Sequence, residues 1–249
     1  MPRHAWLRLP RVFVETPLTA NHTVTLSAKP HHYLVNVRRL NKGDEVLLFN
    51  GHDGEWLARL MTMEKAKLQL QCLRQTRQQI QESPTALALV FAGIRREHQE
   101  YMIEKACELG VTDLYPVVTD HSQVRALNSV RLSLIATEAA EQSERLMVPI
   151  FHKLLPLKDA IEQLIEQDFH IFACLEKGET SPILAAMQQR RSDANIAILT
   201  GPEGGWSDAE ANDLRQCRQV SAISLGERIL RADTAAITAL SCWGCMNLS

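Results

Sequence analysis

Along the first 75 residues, apolar and polar side chains alternate in short runs: 11–15 (RVFVE), 23–27 (TVTLS), 45–49 (EVLLF), 55–60 (EWLARL) and 67–72 (KLQLQC). A period of two with β-rich composition predicts strands that bury one face. Gly51-His52-Asp53-Gly54 supplies a turn between two of them. From His31 to Leu40 the period changes: Tyr33, Leu34, Val37 and Leu40 stand at helical spacing, with Arg38 and Arg39 between them. The expectation over 1–75 is a small, partly closed β-barrel with one short helix. From Gln75 to Pro84 the chain is polar and aperiodic (QTRQQIQESP), which predicts a linker over 76–84.

From residue 85 to 249 strands and helices alternate, and that order predicts an α/β domain with a largely parallel sheet. Strands are expected at 87–92 (LALVFA), 112–118 (TDLYPVV), 169–175 (FHIFACL), 196–200 (IAILT) and 222–225 (AISL). Helices are expected at 97–109, where Gly110 can close the end in a left-handed conformation, and at 130–145. A third carries Leu157, Ala160, Ile161, Leu164 and Ile165 on one face. A fourth opens at Ser181-Pro182 as N-cap and first-turn proline, and the last runs from about Ala232 to Cys245.

The 45% hydrophobic and 22% charged composition is that of an ordinary globular chain, and no window reaches the roughly 18–20 apolar residues of a membrane span. The N-terminus MPRHAWLRLPRVFVE is basic but lacks the apolar stretch of a secretory signal, so a cytoplasmic location is expected. Six cysteines, at 72, 107, 174, 217, 242 and 245, suit reduced thiols rather than a disulfide framework. Cys242 and Cys245 form a lone CxxC without a second pair, so no metal is expected. The net charge of -2 hides an asymmetry. Residues 1–80 hold twelve Lys/Arg against six Asp/Glu, and the remainder fifteen against twenty-three. A basic module that meets nucleic-acid phosphate, joined to a body that does not, fits this polarity.

Chemistry concentrates in two loops. In ILTGPEGGWSDAE (198–210) an apolar strand ends in a loop with Gly201, Gly204 and Gly205, and Ser207 and Glu210 match the S-x-x-E box that opens a helix. In SLGERILRADTA (224–235) a strand again ends in glycine, Gly226, before a helix that begins near Asp233 and Thr234. Glycines beyond the carboxyl ends of parallel strands let a ligand approach the backbone, so a flat heterocycle could lie between these loops with Arg228, Arg231 and Asp233 at its edge. Neither GxGxxG nor GxxxxGK[ST] occurs, which leaves dinucleotides and nucleoside triphosphates unsupported.

TGPEGG (200–205) together with LGERILR (225–231) closely resembles the paired signatures of the ribosomal small-subunit RNA methyltransferase E family, of the SPOUT superfamily. EKACELGV (104–111) is similar to a helix end of that family. Glu141-Gln142-Ser143 with Arg145, Val148 and Pro149 resembles another of its stretches, and HYLVNVRRL with GDEVLLFNG resembles its PUA-like domain. The resemblance implies a trefoil-knotted methyltransferase domain behind a PUA-like barrel. It also implies a homodimer that transfers methyl from S-adenosylmethionine to N3 of a uridine in 16S ribosomal RNA or the small subunit. On that resemblance, Thr200, Gly201, Glu203, Gly204 and Gly205 form one wall of the cofactor pocket, and Leu225, Gly226, Ile229 and Leu230 the other. Arg231 acts on the target uridine, with Arg145 the second choice, and either solvent or a carboxylate such as Glu203 or Asp233 can take the proton. Arg11, Arg38, Arg39 and Arg145 grip RNA.

The chain departs from the family pattern at several positions. Glu144 stands where glycine is usual, Leu146 and Met147 replace basic or polar residues, Ala232-Asp233 replaces Thr-Glu, and His98 takes the place of a lysine. Two other readings are a SPOUT methyltransferase with another RNA target and an RNA-binding protein without catalysis.

Overall fold

The computed structural model describes residues 9–64, 67–80, 85–124, 126–189 and 194–246. Met1 to Arg8 and residues 81–84 of the expected linker lie outside them. The chain divides into two compact units, Met1–Gln81 with Ala140–Val148, and Glu82–Ala139 with Pro149–Ser249.

In the first unit β1 (Arg11–Phe13), β2 (Thr23–Ser27), β3 (Glu45–Phe49), β4 (Glu55–Glu64) and β5 (Lys67–Arg77) form one sheet in the order β1-β3-β4-β5-β2. β1 runs parallel to β3 and the other neighbours are antiparallel. The alternation read from sequence is the alternation of burial: Leu68, Leu70 and Cys72 of β5 are buried, and they join Val24, Leu26, Val46, Leu48, Ala58 and Leu60 in one core. β5 runs further than expected. Gln75 and Arg77 pair with Trp56 and Glu55, so the expected linker begins with strand. Polar residues hold an exposed strand as well as apolar ones do where its backbone is paired, and composition cannot register that pairing.

The helix expected between His31 and Leu40 is α1 (Ala28–His31) followed by one widened π-helical turn, His32–Val37. Arg38 N–H donates to Tyr33 O at 2.9 Å, five residues back. The wider turn keeps Leu34 buried but carries Val37 out to 59% exposure, off the apolar face that its spacing predicted.

In the second unit the sheet is parallel throughout. Its strands are β6 (Leu87–Ala92), β7 (Asp113–Val118), β8 (Ile150–Phe151), β9 (Leu155–Pro156), β10 (Phe169–Cys174), β11 (Ser181–Pro182), β12 (Asn195–Thr200) and β13 (Val220–Ser224). The order is β11-β13-β10-β12-β6-β7-β8, with β9 also on β7. Its helices are α2 (Arg96–Glu108), α4 (Leu157–Glu166), α5 (Ile183–Gln188), α6 (Asp208–Gln216) and α7 (Ala232–Met246). β6 is buried at every position, as a strand covered on both faces must be. α4 buries Leu157, Ala160, Ile161 and Leu164 against that sheet's core, each at about 1.5–3 kcal/mol for a large side chain. Ser181 and Pro182 do not cap α5. They form the edge strand β11 on β13, and α5 starts after Pro182 without a side-chain cap. An edge is where a strand tolerates proline.

α3 (Ser129–Gln142) has its last turn in the first unit and ends earlier than Arg145. Glu144 lies at φ +59°, and Arg145 N–H donates to Ala140 O at 3.1 Å, the six-to-one bond of a left-handed helix end. The position where glycine is usual in the resembled family is thus one that a left-handed backbone requires. Arg11 then closes the end of the helix: its Nη1 donates to Ala140 O and Glu141 O, both at 3.0 Å, and Nη2 to Arg145 O at 2.8 Å. Phe13 N–H on the edge strand β1 donates to Glu141 Oε1 at 3.0 Å.

Candidate active site

In the second unit β13, β10 and β12 lie side by side, and their carboxyl ends open on a cleft of about 280 Å³. That is near the lower end of the roughly 300–1,000 Å³ usual for small-molecule sites, and in the place where open α/β sheets bind ligands. The loop after β12 lines it with Thr200, Gly201, Glu203 and Gly205, and the loop after β13 with Leu225, Gly226, Ile229 and Leu230. Arg228 and Arg231, both exposed, also line it. The two glycine-ended loops therefore face one space, although β10 separates their strands in the sheet. Sequence reasoning missed what β10 contributes: Cys174, Leu175, Glu176 and Thr180 line the same cleft. The one signal for it was an apolar strand running straight into Glu176.

Gly201 is required by a close approach. A Cβ there would stand 2.8 Å from the Trp206 ring, whose Nε1 donates to Cys174 O at 2.9 Å and so ties the β12 loop to the end of β10. Gly226 is required by conformation instead, at φ +118° with open space around it. The first loop ends in the expected capping box: Ser207 Oγ accepts from Glu210 N–H at 3.2 Å, and Glu210 Oε2 accepts from Ser207 N–H at 3.0 Å. Ser207 Oγ also donates to Asp120 Oδ2 at 2.6 Å. Burial pushes the Cys174 thiol up to about 12, which favours its neutral form.

Four expected site residues lie elsewhere. Gly204 is not in the cleft lining; it backs the loop, where its carbonyl lies 3.2 Å from His121 Nδ1. Asp233 is buried and also outside the lining, with Oδ2 2.9 Å from His98 Nδ1 and Oδ1 accepting from Thr234 N–H at 2.9 Å. Arg11 and Arg145 are both 7% exposed, in the first unit. Arg11 is an internal clamp, since its donors go to Glu55 and three carbonyls, and this corrects its expected place in an RNA grip. Burial likewise removes Arg145 from an exposed RNA face. Arg38 and Arg39 are exposed, Arg39 at φ +57° just after the π-helical turn. Glu203, at the cleft, accepts from Arg95 N–H through Oε1 at 3.2 Å. No helix among the described residues is long and apolar enough to cross a membrane.

The RNA methyltransferase domain family matches residues 81–244, and the RNA methyltransferase PUA domain family matches residues 32–71. The parallel sheet with its glycine-walled cleft and the separate five-stranded sheet are therefore those of an RNA methyltransferase with a PUA domain in front. Among curated relatives, the ribosomal RNA small subunit methyltransferase E of Rickettsia conorii is 34% identical over 232 residues, 93% of each chain. That of Synechocystis is 34% identical over 221 residues, 88% of this chain and 72% of the relative. This chain belongs to the ribosomal RNA small subunit methyltransferase E family. The crystal structure of the Neisseria gonorrhoeae member bound to S-adenosyl methionine superposes with a TM-score of 0.83 at 26% identity, covering 96% of this chain and 98% of that one.

Proposed function

We propose that this chain transfers a methyl group from S-adenosylmethionine to N3 of a uridine in 16S ribosomal RNA. The observation that carries the reading is the cleft at the ends of β13, β10 and β12, with a glycine in each flanking loop and Arg231 on its lining. The residues fit the donor. Gly226 leaves its loop without a side chain where a flat adenosine would press on the backbone, Gly201 lets Trp206 pack against the loop opposite, and Leu225, Ile229 and Leu230 offer the adenosine an apolar wall. Glu176, Glu203 and Glu227 on the same lining suit a ligand with cationic groups. When bound, the sulfonium supplies an activated methyl carbon for in-line displacement.

The task left to the protein is to set the acceptor nitrogen on that axis and help it lose its proton. Arg231 lies near a carbonyl oxygen of the uracil and stabilises the negative charge that develops there. A uridine N3 lies on the Watson-Crick edge, so the target is unpaired or withdrawn from its pair, and Arg38 and Arg39 of the PUA domain hold flanking phosphate. The same reading makes the protein a cytoplasmic homodimer. It also makes the methyltransferase domain a trefoil knot, in which the chain after β13 threads behind the β12 loop to reach α7, which packs on α2 and β12. The test is transfer of labelled methyl from S-adenosylmethionine to small subunits lacking the modification, with mass spectrometry of the nucleosides. Release of 3-methyluridine is expected, and any other methylated nucleoside overturns the proposed target.

A further inference from the structure

We propose that His98, oriented by Asp233, is the base that removes the N3 proton of the target uridine; this rests on the reading above and adds the proton's destination to it. The two carboxylates that the sequence offered for this task are both engaged. Glu203 accepts from Arg95 N–H, and Asp233 is buried, accepting from Thr234 N–H and meeting His98. Asp233 Oδ2 lies 2.9 Å from His98 Nδ1. A carboxylate only accepts, so in the neutral imidazole Nδ1 carries the hydrogen and Nε2 keeps its lone pair. The Asp233 side chain is 11% exposed and that of His98 is 36%, so the orienting group is inside and the imidazole remains reachable.

Neither residue of the pair is in the cleft lining, but both are tied to it through the chain. Arg95, three residues before His98, is bonded to Glu203 of the cleft lining, and Arg231 and Ala232, just before Asp233, line the cleft themselves. In-line displacement requires N3 itself to face the methyl from the side opposite sulfur, and the base has only to stand beside N3 to receive its proton. His98 Nε2 takes the N3 proton first, and the electron pair left on N3 then forms the bond to the methyl carbon. The carbon–sulfur bond breaks and its electrons remain on sulfur. A neutral methyluridine, a neutral thioether and a charged imidazolium result, and the imidazolium returns its proton to solvent. Among the described residues, the charges on the elements around the imidazole are these. α7, packed along α2, carries Asp233 as its one carboxylate, with the thiols Cys242 and Cys245 two turns or more beyond. The loop after β12 brings Glu203. On α2 itself Arg96 pairs with Glu100, which also takes Arg131 of α3, and Glu97 is the remaining charge in the first turn.

NMR, kinetics and calorimetry decide it. Long-range proton–nitrogen NMR on the protein alone, with His98 assigned by its loss in H98Q, is expected to show the Nδ1-protonated tautomer. H98Q is expected to lose roughly a hundredfold in kcat while its calorimetric affinity for S-adenosylmethionine is unchanged. H98A should regain part of its rate with free imidazole in the buffer, which a folding defect would not allow. An Nε2-protonated tautomer, or H98Q with wild-type rate, overturns the proposal and leaves the methyltransferase reading standing. A wild-type chain that transfers no methyl overturns both.

Discussion

Arg11 Nε and Glu55 Oε2 meet at 2.8 Å with both side chains 6% exposed, and the same guanidinium lies 4.5 Å from the centre of the Phe49 ring. Burial pulls Arg11 below its ordinary value and the Glu55 carboxylate opposes that, so the group stays charged at any pH the fold survives. Removing one partner strands the other. Arg11→Met is expected to destabilise the protein by about 3–5 kcal/mol, read as a lower urea midpoint, and a double replacement of Arg11 and Glu55 by apolar residues should cost less. An Arg11→Met variant of wild-type stability would show that the clamp holds nothing.

The end of α3 gives a prediction of opposite sign. Glu144 occupies a left-handed position that costs a side-chain-bearing residue about 1–2 kcal/mol, whereas glycine there loses about 0.5–1 kcal/mol through its freer unfolded chain. Glu144→Gly should therefore stabilise the protein slightly, by about 0.5 kcal/mol, in the same urea experiment. A clear loss of stability would mean that the Glu144 side chain contributes more than its backbone costs.

Asp53 makes the first unit sensitive to acid. Leu18 N–H donates to its Oδ2 at 2.9 Å and Asn50 Nδ2 at 2.7 Å, and these bonds hold the carboxyl below its ordinary 3.8. A carboxyl depressed in the folded state stabilises fully above its ordinary value, and that stability is lost as pH falls through the folded value. Melting temperatures taken from pH 5 downward should fall less steeply in Asp53→Asn than in wild type. Parallel curves would remove Asp53 from the account.

At the cleft, Gly201→Ala drives a methyl into the Trp206 ring 2.8 Å away and must break or shift the indole bond to Cys174. Overpacking of this kind costs about 1–3 kcal/mol. Affinity for S-adenosylmethionine by calorimetry should drop at least tenfold, because the loop that moves is a wall of the site.

Arg231 tests the chemical step apart from binding. Arg231→Lys keeps the charge but loses the planar fork, and roughly a hundredfold loss of turnover is expected with unchanged S-adenosylmethionine affinity. Near-normal turnover in that variant would remove Arg231 from the chemical role given to it.

Period and punctuation alone determined much of this protein. Alternation placed β2 and β3 with their observed bounds, the apolar runs placed β6 and β12 to within a residue, and Ser207 with Glu210 announced a capping box that forms as written. These are local effects, set by which side chains repeat on one face or reach the next turn of backbone. Two glycine-ended strands likewise marked the cleft, because a backbone that a ligand approaches, or that turns at positive φ, excludes a Cβ wherever it sits. The tertiary structure decided what depends on neighbours distant in sequence. It set β10 between β12 and β13, which no order along the chain reveals, and so added Cys174 and Glu176 to the site. It carried β5 through a polar stretch because Glu55 and Trp56 lie opposite to pair with it. It also drew Arg11 inside and joined Asp233 to His98 across 135 residues, because a buried charge or polar group has to find its partner in space.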